Sequence, residues 1–501
     1  MKTSVMISKE LLNQVGLPEV MQSCHCRTPQ GKRLKNAARF FTNSSHDEFV
    51  AEITAIARLV EMVKVKHPQV LEAQTQLSRL RELRGTFSRL EKGRLLDDTE
   101  FFELKGALTI FFRLSRLKEL MAEAGVDFQV TKDASALLDP SGTGNPTFHI
   151  YSDYSPGLAR IRGQKKKLER DISQAKGNQR KILLTQRALV TAEEDKLEEQ
   201  IRLQLGEKLQ AWLPQMRHNA ETCAILDFRL AKADLAVRWN GTKPVAVAPS
   251  EPAVLVDSRH PLIASILQKK GLQFTPISIK LKQGSTVLSG ANMGGKSVAL
   301  KTVFLALLMT QLGYFPICNH LETPLYDFMA FESHQEGDLH WGLSSFGLEC
   351  VKIRNHHRRS QNQQGLIMMD EPCRGTNPAE ATAIVQALCR TYGRSSSTFF
   401  IATHYNVTPA AGIRFYQVRG IRPEVLAELP VQKTGSESDL HEDLSRVRKI
   451  QNLMDYRFEE IEGSQQTPSG AIKIAELLGV DQTLLREMMA AWQEDQWPNL
   501  D

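Results

Sequence analysis

Residues 287–297 constrain the fold of this chain more than any other segment. They read Val-Leu-Ser-Gly-Ala-Asn-Met-Gly-Gly-Lys-Ser and fit the pattern G-x-x-x-x-G-K-[ST]. A short β-type run, Thr286 to Leu288, precedes the loop, and an apolar-periodic run from Val298 to Leu312 follows it. The pattern therefore predicts a strand, a glycine-rich loop and a helix in succession, as in an α/β sheet.

The residue types in this loop suit the binding of a phosphate. Glycines let backbone N–H groups face an anion without an intervening side chain, and the N-terminus of the next helix adds partial positive charge. Lys296 would reach the outer phosphates of a nucleotide, and Ser297 would hold Mg²⁺. A glycine-rich turn that matches by chance is the alternative, and the flanking strand and helix favour the nucleotide.

A second signal follows an apolar segment, Leu366 to Met369, that has the composition of a buried strand. Asp370 and Glu371 come directly after it, at the end of the strand where ligands bind in open α/β sheets. We expect Asp370 to support Mg²⁺ and Glu371 to orient or deprotonate the attacking water. Two surface acids after a strand are the alternative, which the upstream phosphate loop disfavours.

Three further groups of residues are candidates for the same site. They are the turn Arg374-Gly375-Thr376-Asn377, the histidine His404 at the end of a predicted strand, and the hydroxyl pair Ser344-Ser345 at a predicted helix start. An imidazole at a strand end can contact the terminal phosphate or the water. Hydroxyls and free N–H groups at a helix start form an anion site, although each of these features alone is only a local structural motif.

Composition sets wide bounds on the class of protein. The chain has 501 residues, 42% of them hydrophobic, and a net charge of +6, which permits nucleic-acid binding without arguing for it. The seven cysteines have no paired-ligand spacing, so we expect a reduced, cytoplasmic setting. No apolar run approaches the roughly 18 residues of a membrane span, and we expect neither a signal peptide nor a membrane partner.

Periodicity divides the chain into an all-α region followed by an α/β domain. The predicted segments are a polar N-terminal segment (1–45), a helical core domain (46–156), a lever-like helical hairpin (157–237), a phosphate-loop domain (238–465) and a C-terminal helix-turn-helix segment (466–501). We expect a surface insertion at residues 434–448, which are polar and rich in charge.

Local signals give more detail within the helical region. The first 45 residues are expected to be irregular, residues 149–151 a short strand, and Ser155-Pro156 the start of a helix. Gly206 and Pro214 are expected to interrupt the hairpin. A basic run from Lys165 to Lys181 could contact phosphate backbones, or it could be a solvated helix face.

The motifs together resemble the ATPase domain of MutS-type proteins, a subgroup of the ATP-binding-cassette class. The resemblance rests on Gly-Ala-Asn-Met-Gly-Gly-Lys-Ser, Met-Asp-Glu-Pro-Cys-Arg-Gly-Thr-Asn and Ala-Thr-His-Tyr. The segment Ser469 to Ala475 is similar to the family's stretch before a C-terminal helix-turn-helix. The likeness covers about residues 49–492 and is specific only in the second half.

The resemblance implies an ATPase with ATP and Mg²⁺ as cofactors. It implies catalytic roles for Glu371 and His404, metal contacts by Ser297 and Asp370, and a loop role for residues 374–377. Ser344 and Ser345 would reach the nucleotide of a partner subunit, which implies a homodimer with two composite sites. The implied nucleotide contacts are Gly290, Asn292, Met293, Gly294, Gly295, Lys296, Ser297 and Val298.

Departures from the family's pattern leave two function classes open. No Phe-x-Glu wedge stands in a mismatch-recognition context, because Phe101-Phe102-Glu103 lies inside an apparent core helix, and the chain is too short for the mismatch-binding domain. One class is a DNA-binding ATPase of repair or recombination, with double-stranded DNA as partner. The other is a protein-remodelling ATPase that resembles the reactivase of cobalamin-dependent lysine aminomutases, with the aminomutase as partner.

Overall fold

A computed structural model describes residues 9–37, 39–145, 147–290, 295–333, 345–420, 455–462, 475 and 480–496 of this chain. The chain divides into two units. Met1–Ser23, Arg39–Ile53 and Leu235–Asp501 form the first, and Cys24–Ala38 and Thr54–Asp234 form the second. Residues 434–448 lie outside the described residues, as do residues 466–479 of the predicted C-terminal segment apart from Ala475.

Regular structure up to Trp239 is helical in the described residues. The α-helices are α1 Lys9–Gln14, α2 Leu17–Ser23, α3 Pro29–Ala37, α4 His46–Lys64, α5 Pro68–Leu77, α6 Arg84–Glu91, α7 Asp98–Ser115, α8 Lys118–Ala124, α9 Lys132–Leu138, α10 Pro156–Gln174, α11 Gly177–Gln210 and α12 Leu213–Trp239. Among the described residues, no helix combines the length and the apolar character that crossing a membrane requires.

Two helices of the N-terminal region begin at side-chain caps, and the second confirms the helix start expected at Ser155-Pro156. The Asp97 carboxylate accepts a hydrogen bond from the Glu100 amide at 2.8 Å, and the Glu100 side chain accepts one from the Asp97 amide at 3.1 Å. This reciprocal pair begins α7. Ser155 caps α10, and Pro156 occupies its first turn, where the missing N–H costs nothing.

Helices α10 and α11 pair antiparallel, as expected of a hairpin. Arg162 forms ion pairs with Glu194 at 3.0 Å and Glu198 at 2.8 Å, while Arg187 pairs with Glu169 at 2.9 Å nearer the turn. The expected interruption at Gly206 is wrong, because α11 continues to Gln210. A single glycine costs a helix only about 1 kcal/mol, which the packing of its neighbours exceeds.

Two further expectations are corrected. Residues 9–37 contain three helices, and a long-range contact accounts for the last of them, since the buried Asp227 carboxylate accepts hydrogen bonds from the Arg27 amide at 3.0 Å and the Thr28 amide at 2.7 Å. Residues 149–151 form no strand and precede a 3₁₀ turn, Ser152–Tyr154. Such long-range partners leave no mark in local periodicity.

Strands and helices alternate after residue 244. The elements are β1 Val245–Ala246, β2 Ala253–Ser258, α13 Pro261–Lys269, β3 Ile277–Leu281, β4 Gly284–Ser289, α14 Lys296–Gln311, β5 His320–Thr323, β6 Phe328–Ser333, α15 Ser345–Ser360, β7 Gly365–Asp370, α16 Pro378–Gly393, β8 Thr398–Ala402, β9 Ile413–Gly420, β10 Asp455–Ile461 and α17 Gln482–Gln496. A helical region followed by α/β structure is the predicted order.

The strands form two sheets. The smaller one has the order β1-β5-β2-β3, and the larger one has the order β10-β9-β4-β8-β7-β6. In the larger sheet all neighbours are parallel except β10 and β9. Strands β7 and β8 are buried along almost their whole length, which explains why their sequences are continuously apolar rather than alternating.

Candidate functional site

The order of the larger sheet brings three strand ends to one edge. Strand β8 lies between β4 and β7, with Ala402 in register with both Leu288 and Asp370. Two backbone hydrogen bonds join the neighbouring strand ends at this edge. One runs from Glu371 N to Ala402 O at 2.8 Å, and the other from Thr403 N to Leu288 O at 3.1 Å. The residues that follow these three strands therefore lie close together, at the carboxyl edge where ligands bind in such sheets.

Two glycines of the loop after β4 are required by the space around them. A Cβ atom on Gly290, which has φ +144°, would lie 3.2 Å from the Val418 Cβ. A Cβ atom on Gly295, which has φ +72°, would lie 2.8 Å from the ring of Tyr456. Residues 291–294 lie outside the described part of the loop, so Asn292, Met293 and Gly294 remain sequence predictions.

Lys296 begins α14 and is buried at the edge of the sheet. Its Nζ donates a hydrogen bond to the Gly290 carbonyl at 2.6 Å and lies 3.4 Å from Glu371 Oε1. Burial lowers the pKa of Lys296 to about 8, an effect that the negative charge of Asp370 opposes and the positive charge of Arg374 reinforces. The ammonium group is thus held without its full hydration, a state in which a phosphate would be a strong partner.

Glu371 lies in a backbone conformation that a glutamate rarely adopts. Its φ is +49°, and that of Cys373 is +66°. Non-glycine residues in this region cost on the order of 1–3 kcal/mol each, and such strain persists where the surroundings impose it. The buried Glu371 carboxylate is paired with both Lys296 and Arg374, so the two cations neutralise it in this arrangement.

Asp370 offers a carboxylate oxygen to the same edge. Among the described residues its Oδ1 is buried and has no hydrogen-bond partner. Ser297 stands exposed in the first turn of α14. A buried carboxylate oxygen without a partner fits a cation, and Mg²⁺ is commonly bound by one or two protein oxygens together with substrate phosphates.

His404 follows β8, between the loop after β4 and the acids after β7. Burial, together with the positive charges of Lys296 and Arg374, lowers the pKa of His404 below its usual value of 6.5. The imidazole is therefore neutral at neutral pH and can accept a hydrogen bond. Its ring lies against that of Tyr405, with centroids 4.2 Å apart.

The remaining predicted residues differ in how far they join the site. Ser344 lies outside the described residues, and Ser345 is the first residue of α15. Asn377 caps α16, with its Oδ1 accepting a hydrogen bond from the Ala379 amide at 2.9 Å. Thr376 donates to Glu380 at 3.1 Å, so the turn 374–377 has local structural duties besides any role at the edge.

A cavity beside the loop is not signalled by any of the sequence motifs. It has a volume of about 280 Å³ and mostly apolar walls, and it touches Gly295 and Val298 at the start of α14. Phe274, Tyr456 and Leu267 line it. These residues come from separate segments of the chain, so no motif could have grouped them. An apolar cavity that adjoins a helix N-terminus suits a planar ring attached to phosphates.

The described residues thus define a protein with a helical N-terminal region and a C-terminal region of mixed α/β sheets. The family model of MutS domain V matches residues 286–486. Over these residues the chain is thus similar to the MutS family.

Curated proteins of the same family are similar to this chain as well. The DNA mismatch repair proteins MutS of Staphylococcus aureus (strain MRSA252) and Staphylococcus haemolyticus (strain JCSC1435) are each 27% identical to this chain over 225 residues. The match covers 44% of this chain and 25% of each relative. The similarity to these relatives therefore extends over about a quarter of their length.

Proposed function

We propose that this chain binds and hydrolyses ATP in a P-loop ATPase domain of the ABC type, and that it works as a homodimer. The observation that carries the proposal is the convergence of Lys296, Asp370, Glu371 and His404 at the carboxyl edge of one parallel sheet. The match of residues 286–486 to MutS domain V supports it.

Lys296 is the group that would bind the outer phosphates. Its Nζ already lies at the mouth of the loop, against the Gly290 carbonyl, and the helix that it starts directs free N–H groups toward the same place. The apolar cavity lined by Phe274 and Tyr456 would take the base. Phosphate and base sites thus adjoin through Gly295, which contacts the cavity and precedes Lys296.

Ser297 and Asp370 would hold Mg²⁺, which when bound offsets the negative charge on the phosphate oxygens. Glu371 would accept a proton from the attacking water. Its carboxylate must first leave Lys296 and Arg374, since two adjacent cations make it a weak base. Binding of phosphate to Lys296 removes one of these partners. The neutral His404 imidazole would orient the water or contact the terminal phosphate.

The proposed dimer rests on the likeness to MutS-type proteins, and the start of α15 is where its contact would form. Ser344 and Ser345, with the free N–H groups of that helix start, would contact the nucleotide bound by a second copy. Binding of ATP would then draw two copies together, and hydrolysis would release them. A ligand that contacts both subunits stabilises the dimer by mass action.

Replacing Phe274 with alanine should weaken ATP binding by roughly 5- to 150-fold, because an aromatic ring against a base contributes about 1–3 kcal/mol. Equilibrium titration with ATP would measure the change. Phe102→Ala is the matched control, since its ring is on α7 and exposed. An affinity within twofold of that of the unmodified protein would show that the base does not bind in this cavity.

Double-stranded DNA is the proposed partner, by analogy with the relatives, which are named DNA mismatch repair proteins. Exposed basic side chains on α10, on α11 and in the turn between them offer a surface for its phosphates. They are Lys166, Lys167, Arg170, Lys176, Arg180 and Lys181. Because such contacts release counterions, binding should weaken steeply as salt rises.

Changing Lys166 and Lys167 to alanine should lower the slope of log affinity against log salt by about 0.9 for each phosphate that these lysines neutralise. Fluorescence anisotropy with a labelled duplex at several salt concentrations measures the slope. Lys269→Ala with Lys270→Ala, at the end of α13, is the charge-matched control. No binding of the duplex at low salt would contradict the DNA role. An unchanged slope in the Lys166 and Lys167 variant would show that these lysines are not part of the DNA-binding surface.

A further inference from the structure

Glu349, on α15, is hydrogen-bonded to the loop that carries Glu371. The Cys373 amide donates to both oxygens of the Glu349 carboxylate, with N···O distances of 3.0 and 3.1 Å. Residues 349 and 373 are 24 positions apart in sequence, so this contact joins two elements that the chain itself does not hold together. A charge-assisted hydrogen bond of this kind is stronger than one between neutral groups.

The loop after β7 has an unfavourable backbone conformation, so it depends on contacts from other elements to hold it. Both Glu371 and Cys373 have positive φ angles, of 49° and 66°. Neither is a glycine, so the turn does not favour this conformation by itself. Glu349 holds the Cys373 amide, and Tyr405 donates its hydroxyl to the Cys373 carbonyl at 3.4 Å. The direction of the Glu371 side chain therefore depends on the Cys373 anchor.

The helix that carries Glu349 is fixed at a second point. One and two turns further along, Lys352 and His356 contact the Glu332 carboxylate on β6, at 3.1 and 2.8 Å. Burial would raise the pKa of Glu332, but the His356 hydrogen bond and the Lys352 charge lower it overall, so the carboxylate stays ionised. This second anchor joins α15 to the sheet without touching the loop after β7.

We propose that Glu349 is a positioning residue for ATP hydrolysis, which links the start of α15 to the direction of Glu371. The proposal rests on the function proposed above. Because α15 begins at Ser345, a displacement of its first turns reaches Cys373 through Glu349 and so turns the Glu371 carboxylate. Contact of the helix start with a second subunit would in this way adjust the group that accepts the proton.

Glu349→Ala should lower kcat by ~10- to 100-fold while leaving KM for ATP within about threefold, because misplacing a reacting group by about 1 Å can cost a hundredfold in rate without loss of binding. Glu349→Gln keeps one acceptor oxygen for the Cys373 amide and should recover most of the rate. Steady-state phosphate release and thermal unfolding would be measured on the full chain.

Lys352→Ala is the matched control, since it weakens the second anchor and spares the first. It should lower the unfolding temperature while leaving kcat near that of the unmodified chain. The double variant Glu349→Ala with Cys373→Gly tests the cause, because glycine adopts φ 66° at little cost. It should be faster than Glu349→Ala alone, and it covers the case in which the single variant fails to fold.

The outcomes separate this proposal from the function beneath it. If the unmodified chain turns over ATP and Glu349→Ala has the same kcat, the positioning role is wrong. Equal falls in kcat for Glu349→Gln and Glu349→Ala, with no recovery in the double variant, also overturn it. If the unmodified chain releases no phosphate, the proposed function fails first, and this proposal fails with it.

Discussion

Lys296→Ala is expected to abolish ATP binding at micromolar concentrations, with a loss of affinity of roughly 100-fold or more. The figure follows from about 3 kcal/mol for a charge-assisted contact that leaves its partner unpaired. The Lys296 ammonium lies 2.6 Å from the Gly290 carbonyl, and the described loop residues before it, Gly290 and Gly295, have no side chain that could replace it. Equilibrium binding of ATP in the presence of Mg²⁺ would measure the loss.

The fold should survive this substitution. Burial lowers the pKa of Lys296 to about 8 from 10.5, so at neutral pH its charge is less favourable in the folded than in the unfolded chain. The penalty applies in full below pH 8 and disappears as the pH rises through the unfolded value. Lys301→Ala, on the same helix, is the control. Normal ATP affinity in Lys296→Ala would show that this lysine does not bind the nucleotide.

Glu371→Gln is expected to bind ATP normally but to hydrolyse it about 10²- to 10⁴-fold more slowly, since an amide cannot accept the proton that a general base removes. Glutamine has nearly the same shape and tolerates φ 49° no worse than glutamate, so the loop should keep its structure. Single-turnover and steady-state phosphate release measure the rate, and a binding titration measures the affinity.

Dimer formation offers a second measurement on the same variant. If ATP joins two copies, Glu371→Gln should accumulate as an ATP-bound dimer, which sedimentation or light scattering detects. Glu380→Gln, an exposed acid on α16 that contacts Thr376, is the control and should hydrolyse ATP at the normal rate. A turnover number for Glu371→Gln within threefold of the unmodified protein would assign the proton transfer to another group.

Much of the fold was predictable because its signals are local. Ser155 caps a helix at the place that the sequence indicates, and the apolar run before Asp370 is a buried strand. The order of the larger sheet was not predictable in this way, because the pairing of β4 with both β8 and β9 joins segments that are more than 100 residues apart.

The residues of the candidate site were likewise predictable only where they belong to a local motif. Lys296, Asp370 and Glu371 stand in contiguous motifs whose residue types already state their chemistry. Phe274 and Glu349 have no such motif, and only the packing of separate segments reveals the cavity and the anchored loop. The helices in residues 9–37 were missed for the same reason, since Asp227, 199 residues from Thr28, holds the start of α3.

Of the two function classes, the similar proteins support the DNA-binding ATPase. The named relatives are DNA mismatch repair proteins, and the matched region is the domain that contains the proposed ATP site. The protein-remodelling alternative, with an aminomutase as partner, gains no support from these relatives. The exposed basic side chains of α10 and α11 give the DNA role a surface on which it can be tested.

The most direct test of this account is the rate of phosphate release from ATP by the unmodified chain, measured beside Glu371→Gln purified in the same way. The variant corrects for contaminating ATPases, because it should keep the fold and the nucleotide while losing the proton acceptor. We predict saturable phosphate release by the unmodified chain that requires Mg²⁺ and exceeds that of the variant by about a hundredfold or more. Equal release by the two proteins, or none by either, would contradict it.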